Sequence, residues 1–324
     1  MIPSNTNNVG DDSMYKKLFA LVTAVSMFVS MSGCSASATM EPASEVISDG
    51  ILDARGVWQK MCETVDGRIA SSFTSTVEMN ASMNAVFNTV ETGLTAVTEI
   101  ALSREPFRYC GRTELKANFF GQDLDGQFSV FAQRDAGGMD TYFHLLDAEC
   151  WYSKHINLIP TDLLCQYEIT TCVDKWTPDR LTLAEATRNL GGKEVYVLDS
   201  ALPADDILKA IATPIGEIAL ENMSVTGLEL QVTHYVDAVT FLPVQIEIQY
   251  QGIGAAMGDL FSKYAGRISG GLMSSVDVEV TTYRETLSNL VYEAVNVPCV
   301  PAEGVQNSKS ISEFDFADIL KIFG

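Results

Sequence analysis

Apolar residues recur at every second position through much of this chain, and at every third or fourth in a few short stretches. Leu228, Leu230, Val232 and Val236 alternate with Glu229, Gln231, Thr233 and Tyr235. Val244, Ile246, Ile248 and Tyr250 then alternate with Gln245, Glu247 and Gln249. A period of two predicts a strand with one apolar face and one wet face. Ile69, Phe73, Val77 and Met79 share a parity, as do Phe128, Val130 and Ala132. Across the turn-like Asp135-Ala136-Gly137-Gly138 the pattern resumes at Met139, Thr141, Phe143 and Leu145. Leu190-Gly191-Gly192-Lys193 predicts a hairpin turn into a strand over 194–199, and Val276, Val278 and Val280 continue the pattern. A final strand is predicted over Leu290–Val297.

Helical spacing interrupts the strands. Ile47, Ile51, Ala54, Trp58, Met61 and Val65 fall on one face of an early helix. Pro203, followed by Asp205 and Asp206, predicts the start of a short helix carrying Ile207, Leu208 and Ile211. Met257, Leu260, Phe261, Tyr264 and Ile268 form a stripe bounded by Gly252, Gly254, Gly270 and Gly271. Phe314, Ile319, Leu320 and Phe323 predict a short amphipathic helix in the tail. A large sheet with one apolar face needs a second layer over it. The expected class is therefore α+β, a curved antiparallel sheet with helices covering its concave face.

Three short motifs carry a family resemblance. Val236-Asp237-Ala238-Val239-Thr240-Phe241-Leu242-Pro243-Val244 resembles a hairpin of the LolA/LppX superfamily, with Asp and Thr in the turn and Pro opening the next strand. Gly191-Gly192-Lys193-Glu194-Val195-Tyr196 is similar to a recurring strand start of that group, and Asn296-Val297-Pro298 to its closing Val-Pro. The resemblance spans roughly 43–305. It implies an incomplete half-barrel that carries lipids or lipoproteins and binds without catalysing.

The chain also carries an address. Lys16 and Lys17 precede an uncharged apolar run from Leu18 to Met31, the layout of a secretory signal. Met14 reads as the natural start, because Asp11 and Asp12 ahead of the basic head weaken a signal. Met31-Ser32-Gly33-Cys34 resembles the lipobox of bacterial lipoproteins, which implies that Cys34 takes a lipid and becomes the first mature residue. Residues 1–33 are then extension and signal, 34–42 a lipid-anchored tether, 43–305 the half-barrel domain and 306–324 a tail. The expected location is the extracytoplasmic face of a cell membrane.

Composition narrows the partners. A net charge of −21 excludes nucleic acid. It also leaves membrane attachment to acyl chains rather than to anionic headgroups. Six cysteines remain after Cys34, and an even number in an exported chain favours disulfides. Cys150, Cys165 and Cys172 are the candidates. No C-x-x-C is present, the three histidines lack ligand spacing, and no metal or cofactor is expected. Neither H-E-x-x-H, G-x-S-x-G nor a phosphate loop occurs, so no enzyme activity is expected.

The function read from the chain is binding of a lipid or other hydrophobic ligand in a cavity between sheet and helices. Candidate cavity residues are Trp58, Leu230, Val232, Ile246 and Ile248. Met257, Leu260, Phe261, Tyr264 and Ile268 are either a lid over the cavity or plain core. A second reading keeps the fold, fills the core, and binds an envelope protein through the outer face or cleft.

Overall fold

The computed structural model describes residues 52–85, 88–119, 122–134, 137–146, 149–156, 180–203, 229–251, 277–292 and 295–313. Helix α1, Ala54–Asp66, begins where the extended Asp53 accepts a 2.7 Å hydrogen bond from the Gly56 amide. That cap satisfies one of the first-turn donors. Val57, Trp58, Met61, Cys62 and Val65 are buried along one side, as the spacing predicts. Ile47 and Ile51 lie outside the described residues.

Six strands follow in an antiparallel meander: β1 Ala70–Ala85, β2 Asn88–Arg104, β3 Phe107–Phe119, β4 Gln122–Arg134, β5 Met139–Leu145 and β6 Cys150–Ile156. A second group comprises β7 Arg180–Leu183, β8 Arg188–Leu190, β9 Lys193–Pro203, β10 Glu229–Asp237, β11 Pro243–Gln251 and β12 Asp277–Val291. Helix α2 Ala302–Asn307, strand β13 Lys309–Ser310 and a 3-10 turn Ile311–Glu313 come last. All thirteen strands join one large, open, curved sheet in the order β13-β6-β5-β4-β3-β2-β1-β12-β11-β10-β9-β7, with β8 on β9. The two groups meet where β1 pairs with β12. Only β13 on β6 is parallel among the described strands.

Register makes the alternation add up across the sheet. Leu145, Phe128, Thr113, Thr98, Ser75, Leu287, Ile246, His234 and Leu198 stand opposite one another in turn, from β5 to β9. All nine are buried. This is the core face, and α1 lies on it at the β9–β10 side. The Trp58 ring meets His234 there, and the Lys60 ammonium sits 4.8 Å above the Phe241 ring.

The opposite face has its own cover. After β12 the chain runs back as a strap over β2–β6. Cys110, Phe131, Tyr142, Trp151 and Val297 form a second buried cluster, with Ala101, Val295 and Val300 against it. Helix α2 presses so closely on Trp151 that a Cβ at Gly304 would stand 2.7 Å from the indole ring. Only glycine fits at that approach. Ser308 and Ser153 share a 2.9 Å hydroxyl hydrogen bond before β13 joins β6.

Turn chemistry follows the sequence closely. Gly191 and Gly192 have φ of 59° and 86°, the left-handed pair that a two-residue hairpin needs. In the β10–β11 turn, Asp237 Oδ1 accepts from the Val239 and Thr240 amides, each at 2.9 Å. Burial works against the ionised carboxyl, but those amides and Lys193 outweigh it and hold Asp237 below the usual carboxylate range.

Some expectations fail. Ile69 is 65% exposed, because β1 begins one residue later and Ile69 belongs to the turn out of α1. The strand expected over Leu290–Val297 is not found as such: Leu290 and Val291 close β12, and the described residues 292 and 295–297 are irregular. β12 ends at Val291, after Asn289 takes φ 55°, and Val295 and Val297 pack as irregular strap. Of the helices expected over the sheet, α1 is described, while the stretches around 203–211, 254–268 and 314–324 lie outside the described residues. No described helix is long and apolar enough to cross a membrane.

Candidate ligand-binding face

Four of the five cavity candidates outside the glycine-bounded stripe come together on the core face. Val232, Ile246 and Ile248 are 1%, 1% and 0% exposed, on adjacent strands, and Trp58 of α1 is 2% exposed. Leu230 occupies the corresponding position of β10, opposite Tyr250. Met257, Leu260, Phe261, Tyr264 and Ile268 lie outside the described residues, as do Cys34, Cys165 and Cys172. Cys150 opens β6 and has no disulfide partner among the described residues.

The core face also holds polar groups that pattern reading passed over. His234 sits between Val232 and Val236 on the same parity and is fully buried. Its ring meets Trp58 edge-on, with centroids 5.4 Å apart. Both imidazole nitrogens and Trp58 Nε1 are buried without a hydrogen-bond partner among the described residues. Burial lowers the His234 pKa to about 3, so the ring is neutral, with one donor and one acceptor to offer.

Glu285 stands two residues along β12 from Leu287 of the His234 row, on the same face, cross-strand from Val77 and Ile248. It is 4% exposed and takes a 2.7 Å hydrogen bond from the Ser75 hydroxyl. Burial pushes its pKa up to about 7, against the opposing pull of Ser75. Ser71 Oγ and the Tyr292 hydroxyl are also buried without partners among the described residues, and burial raises the Tyr292 pKa. Buried polar groups without partners are few in native proteins. Here several face one side of a sheet whose buried described residues include no lysine or arginine.

Sequence parity contained the signal for both missed residues. His234 falls on the apolar positions of Leu230–Val236, and Glu285 falls between Tyr283 and Leu287 on those of β12. A polar residue at an apolar position is the mark to read.

The strap face differs in kind. A recess of about 530 Å³ lies between the outer side chains of β2–β5 and the strap at Pro301 and Glu303. It does not coincide with the cavity expected between sheet and helices. Its walls mix carboxylates, Arg112 and His144 with Phe131 and Trp151.

No protein-family model and no curated protein matches this sequence. Among solved structures, the chain is similar to LprF from Mycobacterium bovis, with 11% identity over 76% of this chain and 96% of that one and a TM-score of 0.36. A lipoprotein-sorting protein domain from Vibrio parahaemolyticus, described as outer-membrane, aligns at 10% identity over 83% and 98% of the two chains, with a TM-score of 0.25. A LolA superfamily protein from Nitrosomonas europaea aligns at 10% identity over 76% and 96%, with a TM-score of 0.20.

Proposed function

We propose that this protein is a lipid-anchored, extracytoplasmic binding protein that holds a lipid or acyl chain against its core face without covalent chemistry. One observation carries the reading. The core face is apolar over most of its area, crossed by the polar row Thr113, Thr98 and Ser75 and interrupted by His234 and Glu285, with no buried lysine or arginine among the described residues. Each methylene buried there contributes about 0.8 kcal/mol. His234, Trp58 and the neutral form of Glu285 can meet the hydroxyl or carbonyl oxygens of such a ligand. In this reading α1 and the predicted helical stretches form the second layer, and the lipid on Cys34 keeps the domain at the membrane.

The test is native mass spectrometry of protein extracted under mild conditions, followed by titration of the delipidated protein with a fluorescent fatty-acid ester. Co-purifying lipid and saturable probe binding are expected. A protein that emerges unliganded and fails to bind the probe after delipidation refutes the proposal.

A further inference from the structure

The recess on the strap face is a second site, chemically unlike the first. Register aligns Glu99, Arg112, Ser129, His144 and Trp151 in one row across β2 to β6. Glu114 projects from the neighbouring position of β3, and Glu303 faces the row from α2. Glu99, Glu114 and Glu303 form no ion pair among the described residues. Arg112, the one cation among the described residues lining the recess, stands directly opposite Glu99. Among the described residues lining the recess, three glutamates thus face a single arginine.

The floor is built to take a polar contact. Ser129 is 5% exposed and lines the recess, and its hydroxyl has no hydrogen-bond partner among the described residues. Beside it the His144 ring lies flat on Trp151, with centroids 3.9 Å apart and planes within 6°. Burial keeps His144 below the ordinary imidazole range despite Glu303 and Glu149, so it adds no positive charge at neutral pH. Phe131 and Trp151 supply apolar wall. The volume is that of a small-molecule site. No set of three or more His, Cys, Asp or Glu residues among the described ones is placed to hold a metal ion.

We propose that this recess binds an organic cation, an ammonium group on a short apolar stem. Glu114 and Glu303 face the charge, the Ser129 hydroxyl accepts a hydrogen bond from the ammonium, and Phe131 and Trp151 take the stem. That chemistry belongs equally to a free diamine and to a lysine side chain of a peptide.

Isothermal titration of the full chain at low salt separates the two sources, with cadaverine in one arm and N-acetyl-lysine methylamide in the other. The tighter ligand names the source, and saturable binding of either supports the site. The double variant Glu114→Gln/Glu303→Gln should weaken binding roughly tenfold, in line with two exposed ion pairs, without lowering the melting temperature. Arg112→Gln should strengthen binding a few-fold by removing the competing cation. The proposal is overturned if neither ligand saturates, if 1-pentanol binds as well as cadaverine, or if the double variant binds unchanged. None of these outcomes bears on lipid at the core face, because the recess lies on the opposite side of the sheet.

Discussion

Two buried titratable groups on the core face push stability in opposite directions with pH. Glu285 has a pKa of about 7 in the folded chain against 4.5 for an ordinary glutamate. Between those values the folded state binds more protons than the unfolded state. Its contribution is complete below pH 4.5 and is lost as pH rises through 7, about 3 kcal/mol in all at 1.36 kcal/mol per unit. His234 has the reverse sign. Its pKa falls from 6.5 to about 3 on folding, so its contribution is present above pH 6.5 and lost as pH falls towards 3. Between pH 4.5 and 6.5 the two slopes offset. Glu285→Gln should therefore unmask a stability that climbs steadily from pH 3 to 6.5, and should be the more stable protein at pH 8. His234→Phe should unmask the opposite slope, falling from pH 4.5 to 7. Urea unfolding midpoints across pH check both, and parallel profiles for wild type and Glu285→Gln would place the carboxyl in water. A third residue was legible in advance. Asp237 reads as a turn residue in the sequence, and its two amide contacts bear that out. Asp237→Ala should cost about 2 kcal/mol, because hydrogen bonds to a charged acceptor are worth more than neutral ones.

Strands tolerate change on one face and not on the other, and the alternation says which. Ile246→Asp places an unpaired carboxylate in the His234 row, 1% exposed, and should cost several kcal/mol or force the group neutral. Glu247, its neighbour on the opposite face, is no idle surface residue. It pairs with Arg284 at 2.9 Å and accepts from Gln245 Nε2 at 2.9 Å. Glu247→Gln should thus cost about 0.5–1 kcal/mol rather than nothing. Comparable losses in the two variants would contradict the assigned faces. Part of the fold was visible in one dimension, while β2, β3, β6 and β7 were not read from the sequence. The β4–β5 and β10–β11 hairpins, the Gly191-Gly192 turn and the apolar stripe of α1 all appear in local spacing. Helix α2 and β13 did not, since six and two residues carry too little periodicity to read. They form because the strap has somewhere to lie. Gly304→Ala should lift that strap from Trp151 at a cost of about 1–3 kcal/mol, seen as faster amide exchange at Lys309 and Ser310 with the meander unaffected.

At the scale of the whole molecule, one sheet presents two chemically unlike faces. The core face is apolar with neutral polar inlets, and the strap face is acidic and holds the recess. If Cys34 carries the lipid, Cys34→Ala should leave an unprocessed and unlabelled precursor in cells fed a clickable fatty acid. Labelling that persists in this variant would exclude the anchor. The chain's own order of residues determined the most regularly alternating strands, their polar and apolar sides, the first helix and the tight turns, because each is set by neighbours a few positions apart. It also held the acidic character of the protein. Which polar exceptions meet was decided only in three dimensions. Ser75 and Glu285 are 210 residues apart, and only the pairing of β1 with β12 brings them to 2.7 Å. Trp58 reaches His234 only when α1 folds back over β10. The recess exists only because the last described segment returns across β2–β6. Local periodicity states that a strand has an inner face, but many strand orders bury such faces almost equally well. The choice among them rests on register and on contacts between distant residues.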